Sequence, residues 1–201
     1  MLKIAVGHSN DPDSIEAVDE VIQQCLDALS GEIPQAGILF AAIDFEHELI
    51  LTQINATFPD LELIGGTTDG EVSSVLGFQQ DSLTLILFCS DDIEIRAAVG
   101  RNISQNPTAI AQQTVETLKD TLRTDLRLCI TTPESLTTSA SSILEGLRLG
   151  LGTVPVLGGT TGDQTKIQRT YQFFKTEVLS DSVPILLWGG NLLFSHGVAS
   201  G

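Results

Sequence analysis

Two identical tetrapeptides carry the clearest chemical suggestion in the chain. Gly65-Gly66-Thr67-Thr68 recurs as Gly158-Gly159-Thr160-Thr161, 93 residues further on. Paired glycines admit positive φ and let another group approach the backbone closely. Paired threonines add hydroxyls that both donate and accept. Carboxylates follow each copy: the first continues Asp69-Gly70-Glu71, the second Gly162-Asp163. Each tetrapeptide ends an apolar run that reads as a strand, and α/β sheets place ligands at strand ends. Arg101 closes another such run, and a guanidinium holds a carboxylate through two parallel hydrogen bonds. With an ammonium on Asp69, Glu71 or Asp163, the set suits a zwitterion such as an amino acid. The expected ligand-binding residues are therefore Gly65, Gly66, Thr67, Thr68, Asp69, Glu71, Arg101, Gly158, Gly159, Thr160, Thr161 and Asp163. A plainer reading makes each tetrapeptide a tight strand exit whose hydroxyls bond their own backbone.

Other chemistry is thinner. The chain has no G-x-S-x-G elbow, no phosphate-loop lysine motif, no H-E-x-x-H and no G-x-G-x-x-G. Catalytic residues are not expected. The alternative is a small-metabolite enzyme using the acids and threonines of the two turns as proton carriers and oxyanion donors. Three histidines are scattered: His8 ends the first strand, His47 sits between Glu46 and Glu48 and reads as solvated, and His196 lies near the end. No cofactor and no metal are expected, the alternative being haem on His196. Cys25, Cys89 and Cys129 form no C-x-x-C pair and no ligand cluster, so they read as buried, reduced thiols of a cytoplasmic protein.

These residues need elements to hold them, and the elements repeat. Ala5-Val6-Gly7 recurs as Ala98-Val99-Gly100 at the same 93-residue offset, while Asp81-Ser82 matches Asp181-Ser182 at 100. The second copy therefore carries about seven extra residues after its tetrapeptide. The chain divides into repeat one at 1–91 and repeat two at 92–190, a duplicated domain over 1–190. Residues 191–201 are then the start of a following segment or absent C-terminal domain. Within repeat one, Leu2–Val6 reads as a strand and Asp11-Pro12 as a helix start. A helix follows with Ile15, Val18, Ile22, Cys25, Leu26 and Leu29 on one face. Strands are expected at 37–43, 61–64 and 82–88, with a second helix at 46–57. Repeat two runs likewise: strands at 93–99, 126–130, 154–157, 171–178 and 183–188, and helices from Asn106-Pro107 and over 138–149. The expected fold is α/β: two tandem β-α-β-α-β-β repeats about a pseudo-twofold, with mixed sheets and packed helices.

Composition excludes several roles. The 201 residues are 42% apolar, too many for a disordered chain, and the formal charge is −16. Residues 1–100 hold eighteen acids against Lys3 and Arg96, so the entire excess lies there; residues 101–201 balance eight against eight. A surface this acidic repels phosphate backbones and anionic lipid, so neither nucleic acid nor membrane is an expected partner. The longest uncharged apolar stretch, Ser182 to Ser195, falls short of the ~20 residues that span a bilayer.

Finally, Leu63-Ile64-Gly65-Gly66-Thr67-Thr68-Asp69-Gly70-Glu71-Val72 resembles the G-C/G-S/T-T-x-G-E-I signature of the FIST N-terminal domain family. Asp81-Ser82 before an apolar strand and the closing Ser195–Gly201 segment fit the same pattern. The resemblance implies an intracellular bacterial or archaeal sensory domain. Such a domain binds a small ligand, amino acids among them, and signals to a C-terminal FIST domain or another signalling protein. It also implies the haem alternative, since some members sense nitric oxide through haem. It supplies no binding residues, so the site expectation rests on the turns alone.

Overall fold

The structure, a computed structural model, describes residues 1–197. Residues 1–91 contribute β1 (Lys3–Ser9), α1 (Ser14–Leu29), β2 (Ala36–Ala41), α2 (His47–Thr57) and β3 (Glu62–Thr67). A small hairpin, β4 (Glu71–Ser73) and β5 (Gly77–Gln79), then leads to β6 (Leu83–Cys89). Residues 92–190 contribute β7 (Ile93–Arg101), α3 (Pro107–Lys119), β8 (Leu126–Thr131), α4 (Ala140–Leu151) and β9 (Val156–Gly158). Their hairpin is β10 (Gln172–Phe174) with β11 (Glu177–Leu179), and β12 (Ser182–Gly190) follows.

Local chemistry sets the helix starts. Asn106 accepts from the Ala109 amide, with Pro107 in the first turn of α3, as the sequence predicts. At α1 the cap is Asp13 rather than Asp11: its carboxylate accepts from the Ile15 and Glu16 amides. The Asp11 carboxylate is occupied by the Asp13 amide at 2.8 Å, and the helix begins at Ser14, two residues later than expected. Ile15 and Leu26, expected in the apolar stripe of α1, are exposed; Ala17 and Val21 take their place in it.

The sheets are mixed and the fold is α/β. Strands β1-β6-β2-β3 run antiparallel, antiparallel and parallel; β7-β12-β8-β9 run in the same order and senses. Alternation along each strand builds three core layers. Leu83, Leu85 and Leu87 of β6 join α1 and α2 in one, and Val183, Ile185 and Leu187 of β12 join α3 and α4 in another. Between them, Ile38, Ile64 and Phe88 of the first sheet meet Ile95, Leu186 and Trp188 of the second. The two sheets thus pack face to face with helices outside. Each fully buried Leu or Ile here contributes roughly 2 kcal/mol, which fixes the faces the strands turn inward. No helix among the described residues is long and apolar enough to cross a membrane.

One feature breaks the match between halves. Hairpin β10-β11 leaves its own half and adds to β3, making the first sheet six-stranded. Hairpin β4-β5 adds to neither sheet. Neither hairpin is expected from the sequence; 171–178 was to be one strand, and Lys175 with φ of 54° turns it.

Candidate functional site

The two tetrapeptides are neighbours, and they lean on each other rather than around a hollow. Gly65, Gly66 and Thr67 are buried residues of β3, not a turn. Neither Gly65 nor Gly66 has positive φ; what demands glycine is close approach. A methyl group on Gly65 would overlap the Leu39 carbonyl oxygen of β2, and one on Gly158 would overlap the Thr131 carbonyl of β8. The same crowding arises at matched positions. Gly66 leaves room for the Thr161 methyl. The Gly162 amide donates to the Thr67 carbonyl at 2.8 Å, and the Gln164 amide to Asp69 Oδ1 at 2.5 Å. Thr161 is buried, with its amide and hydroxyl on the Pro133 carbonyl. Gly158, Gly159 and Thr160 stay exposed beside a cavity of about 310 Å³ that also touches Pro133 and Leu144.

The expected carboxylates are each engaged inside the chain. Asp163 accepts from the Ile167, Gln168 and Arg169 amides, and these bonds hold its carboxyl below the usual range. Glu71 is buried and accepts from the Thr68 and Ser82 hydroxyls; burial nevertheless pushes its pKa up. The Ser82 hydroxyl also meets His8 Nε2 at 2.9 Å, and His8 Nδ1 meets Ser73 at 2.7 Å. One proton arrangement satisfies the whole row: Ser73 donates to His8, His8 to Ser82, and Ser82 to Glu71. Arg101 stands apart from the turns and pairs with Glu177 at 2.8 Å. Asp69, Glu71 and Asp163 thus serve three different sets of donors within the chain.

The open cleft lies one layer away, where the two halves meet. It holds about 650 Å³ between the start of α2 and the chain entering β10. Glu46, His47 and Glu48 form one wall; Arg169, Tyr171 and Val178 form the other. His47 is 7% exposed, contrary to the solvated reading: its Nε2 donates to the Ala42 carbonyl at 2.9 Å. Its ring lies 5.4 Å from Tyr171 and 5.1 Å from Phe173. Flanking charges pointed outward in the sequence, but aromatic partners from residues 171–173 cover it. Burial lowers the His47 pKa, so the ring is neutral at pH 7. The Arg169 guanidinium sits 4.7 Å above the Tyr171 ring, and among the described residues it makes no ion pair. Glu46 is the cap position of α2 yet makes no side-chain cap bond; the His47 amide donates to the Phe45 carbonyl at 3.0 Å, which leaves the Glu48 and Leu49 amides without a cap.

The first tetrapeptide builds this cleft without lining it. Thr67 bonds Tyr171 at both backbone groups: its amide donates to the Tyr171 carbonyl at 2.9 Å, and its Oγ1 accepts the Tyr171 amide at 3.1 Å. Arg169 and Tyr171 escape the sequence reading, which places the site at the tetrapeptides and their carboxylates and has Tyr171 only as the first residue of a strand. Their spacing is the signal: residues two apart in extended chain share a face.

Among the described residues no cluster of three His, Cys, Asp or Glu could hold a metal ion. Both His8 ring nitrogens and Nε2 of His47 are bonded within the protein, while His196 is exposed and stacks on Phe194. Among the described residues, then, His196 is the histidine that offers both ring nitrogens. Burial pushes the Cys25 and Cys129 thiols up to about 12, and Cys89 upward as well, so none is a thiolate at neutral pH. The closing segment of the sequence expectation lies in part outside the described residues, at 198–201.

A family model described as the FIST N domain matches residues 35–201. No curated protein matches the chain.

Proposed function

We propose that this chain, which belongs to the FIST N domain family of sensory domains, senses a small zwitterion held in the cleft between α2 and Arg169-Thr170-Tyr171. One observation carries the reading. An arginine that makes no ion pair among the described residues stands over an aromatic ring, opposite two glutamates and a helix start without a side-chain cap, in a cleft of about 650 Å³. That volume lies in the usual range for small-molecule sites, about 300–1,000 Å³. A carboxylate would take the Arg169 fork and the Glu48 and Leu49 amides of α2. An ammonium would face Glu46 and Glu48. Tyr171 and the neutral His47 would flank the apolar part. An α-amino acid meets these demands, and the tetrapeptides act as the clamp that holds Tyr171 in place.

The cleft walls come from different halves, so a ligand that bridges them favours one arrangement of the halves. The output would pass to a C-terminal FIST domain or a separate signalling protein. Free, buried cysteines at 25, 89 and 129 suit the reducing cytoplasm. No side chain of the cleft is arranged as a nucleophile with its base, which favours sensing over catalysis.

A thermal-shift panel of the twenty amino acids tests this. At a hundred times Kd a ligand stabilises the fold by about 2.7 kcal/mol, a clear rise in Tm. At least one amino acid should give that rise, and Arg169→Gln should abolish it while leaving the unliganded Tm in place. A panel without any rise, or a rise that Arg169→Gln leaves intact, would remove the reading.

A further inference from the structure

We propose that two copies of this chain dimerise by exchanging hairpins, β4-β5 of each adding to the free edge of β9 in the other. The inference is independent of the ligand. It starts from the broken match between the halves. Strand β3 accepts hairpin β10-β11 in antiparallel register, with Gly66 opposite Gln172, Gly65 opposite Phe173 and Ile64 opposite Phe174. Strand β9 holds the same place in the second sheet, yet among the described residues nothing pairs with its outer edge. An unpaired edge strand presents a row of backbone donors and acceptors. The matched hairpin, β4-β5, pairs with no sheet and exposes Val72 to 74% and Phe78 to 61%.

Chain length decides whose hairpin fills the edge. Residues 162–171, ten in number, carry the chain from Thr161 to β10. Only Asp69 and Gly70 separate Thr68 from β4. Two residues reach about 7 Å when fully extended, and ten reach about 35 Å. The short connection ties β4-β5 to its own half, so the β9 edge of the same chain is denied it. A second copy has no such tether.

Charge points the same way. At −16, two copies repel wherever acidic surfaces face each other. Residues 72–80 and 149–162 contain no charged side chain at all, and these are the hairpin and the strip around β9. Hollows of about 310 and 1100 Å³ flank that strip, with Leu144 and Leu149 of α4 exposed in their walls; the larger also has Glu145 and Arg148, one charge of each sign, at its rim. They are seats for Phe78 and its neighbours. No internal bond need break: Gln172 keeps its contacts with Thr161 and Ser182 while β10 lies on β3. Glu71 makes the matched contacts with Thr68 and Ser82. The β3 register carried over to the new edge sets Val72 opposite Gly158, Ser73 opposite Leu157 and, one step on, Ser74 opposite Val156. Exchange about a twofold closes, leaving no hairpin over.

Sedimentation of the full chain should give twice its 21.4 kDa, falling to one chain mass in Phe78→Asp and, from the other side of the contact, in Leu144→Asp. Both residues are exposed, so an unchanged far-UV spectrum separates lost contact from lost fold. A mixture of Ser74→Cys and Val156→Cys chains should form a mixed disulfide on oxidation, while neither alone should link. A chain that stays single at all concentrations overturns the proposal. So does a dimer indifferent to both aspartates. A double Ser74→Cys, Val156→Cys chain that links within itself would assign the edge to the same copy and overturn it as well.

Discussion

His47 shows how far neighbours in space can override neighbours in sequence. Glu46 and Glu48 flank it, yet the ring turns inward to the Ala42 carbonyl and packs on Tyr171 and Phe173. Desolvation outweighs the carbonyl bond and the Asp44 charge, so its pKa falls below 6.5. His8 is lowered for the same reason, with Glu20 opposing. Both rings are neutral when folded at pH 7, and the unfolded chain takes up protons first as the pH drops. Stability is therefore complete above 6.5 and is lost as the pH falls through that value, by at most about 1.4 kcal/mol per pH unit for each proton. Glu71 has the opposite sign, because its raised pKa lets the folded state bind a proton first. Stability from that group declines as the pH rises from the ordinary carboxyl value to the raised one. In urea titrations between pH 7 and 5.5, His47→Phe should show a shallower loss than the parent chain. An identical slope would mean that the ring is already charged or solvated in the folded state.

At the scale of elements, the repeated tetrapeptide belongs first to packing. Gly65 lets β3 lie close on β2, and Gly158 lets β9 lie close on β8. Gly65→Ala should cost about 3 kcal/mol or more, because the carbonyl it strikes belongs to a fixed strand. Gly159 has open space and no positive φ, so Gly159→Ala should shift stability by no more than about 0.5 kcal/mol in either direction. Denaturant unfolding of the pair checks this; equal costs would mean that the glycines serve the same end. The sequence made the helices and long strands legible because their apolar spacing is dense: Leu83, Leu85 and Leu87 alternate along β6, and Asn106-Pro107 marks α3. Three residues leave no such period of their own: β4 and β5 stay hidden, and β10 and β11 merge into one strand over 171–178, whereas β9, equally short, is marked by the tetrapeptide that follows residues 154–157. The site was half legible. The tetrapeptides pointed to the seam between the halves, but the cleft depends on Glu46, His47, Arg169 and Tyr171. Those residues converge only once β10 has crossed to β3, a long-range pairing that local spacing does not encode.

The whole molecule sets a strongly acidic half against a neutral one. Self-repulsion acts within residues 1–100, and what opposes it is the apolar layer shared between the sheets. Phe88 and Trp188 meet edge to face in that layer with centroids 4.8 Å apart. The seam is further tied by β10 on β3, by Gly162 on Thr67 and by Thr132 Oγ1 on the Gly65 carbonyl at 2.8 Å. Neither half can unfold without exposing the shared layer of the other, so the halves should melt together. This coupling is also what lets a cleft at the seam act on the entire chain. Trp188 is the single tryptophan and lies in the shared layer, so its fluorescence reports separation of the sheets while far-UV dichroism reports the helices outside them. The two urea curves should coincide, and salt should move both midpoints upward as the acidic half is screened. Phe88→Ala should lower both together, by about 3–5 kcal/mol. A fluorescence midpoint well below the helical one would show halves that part before they unfold, and a cleft between them would then have nothing rigid to bias.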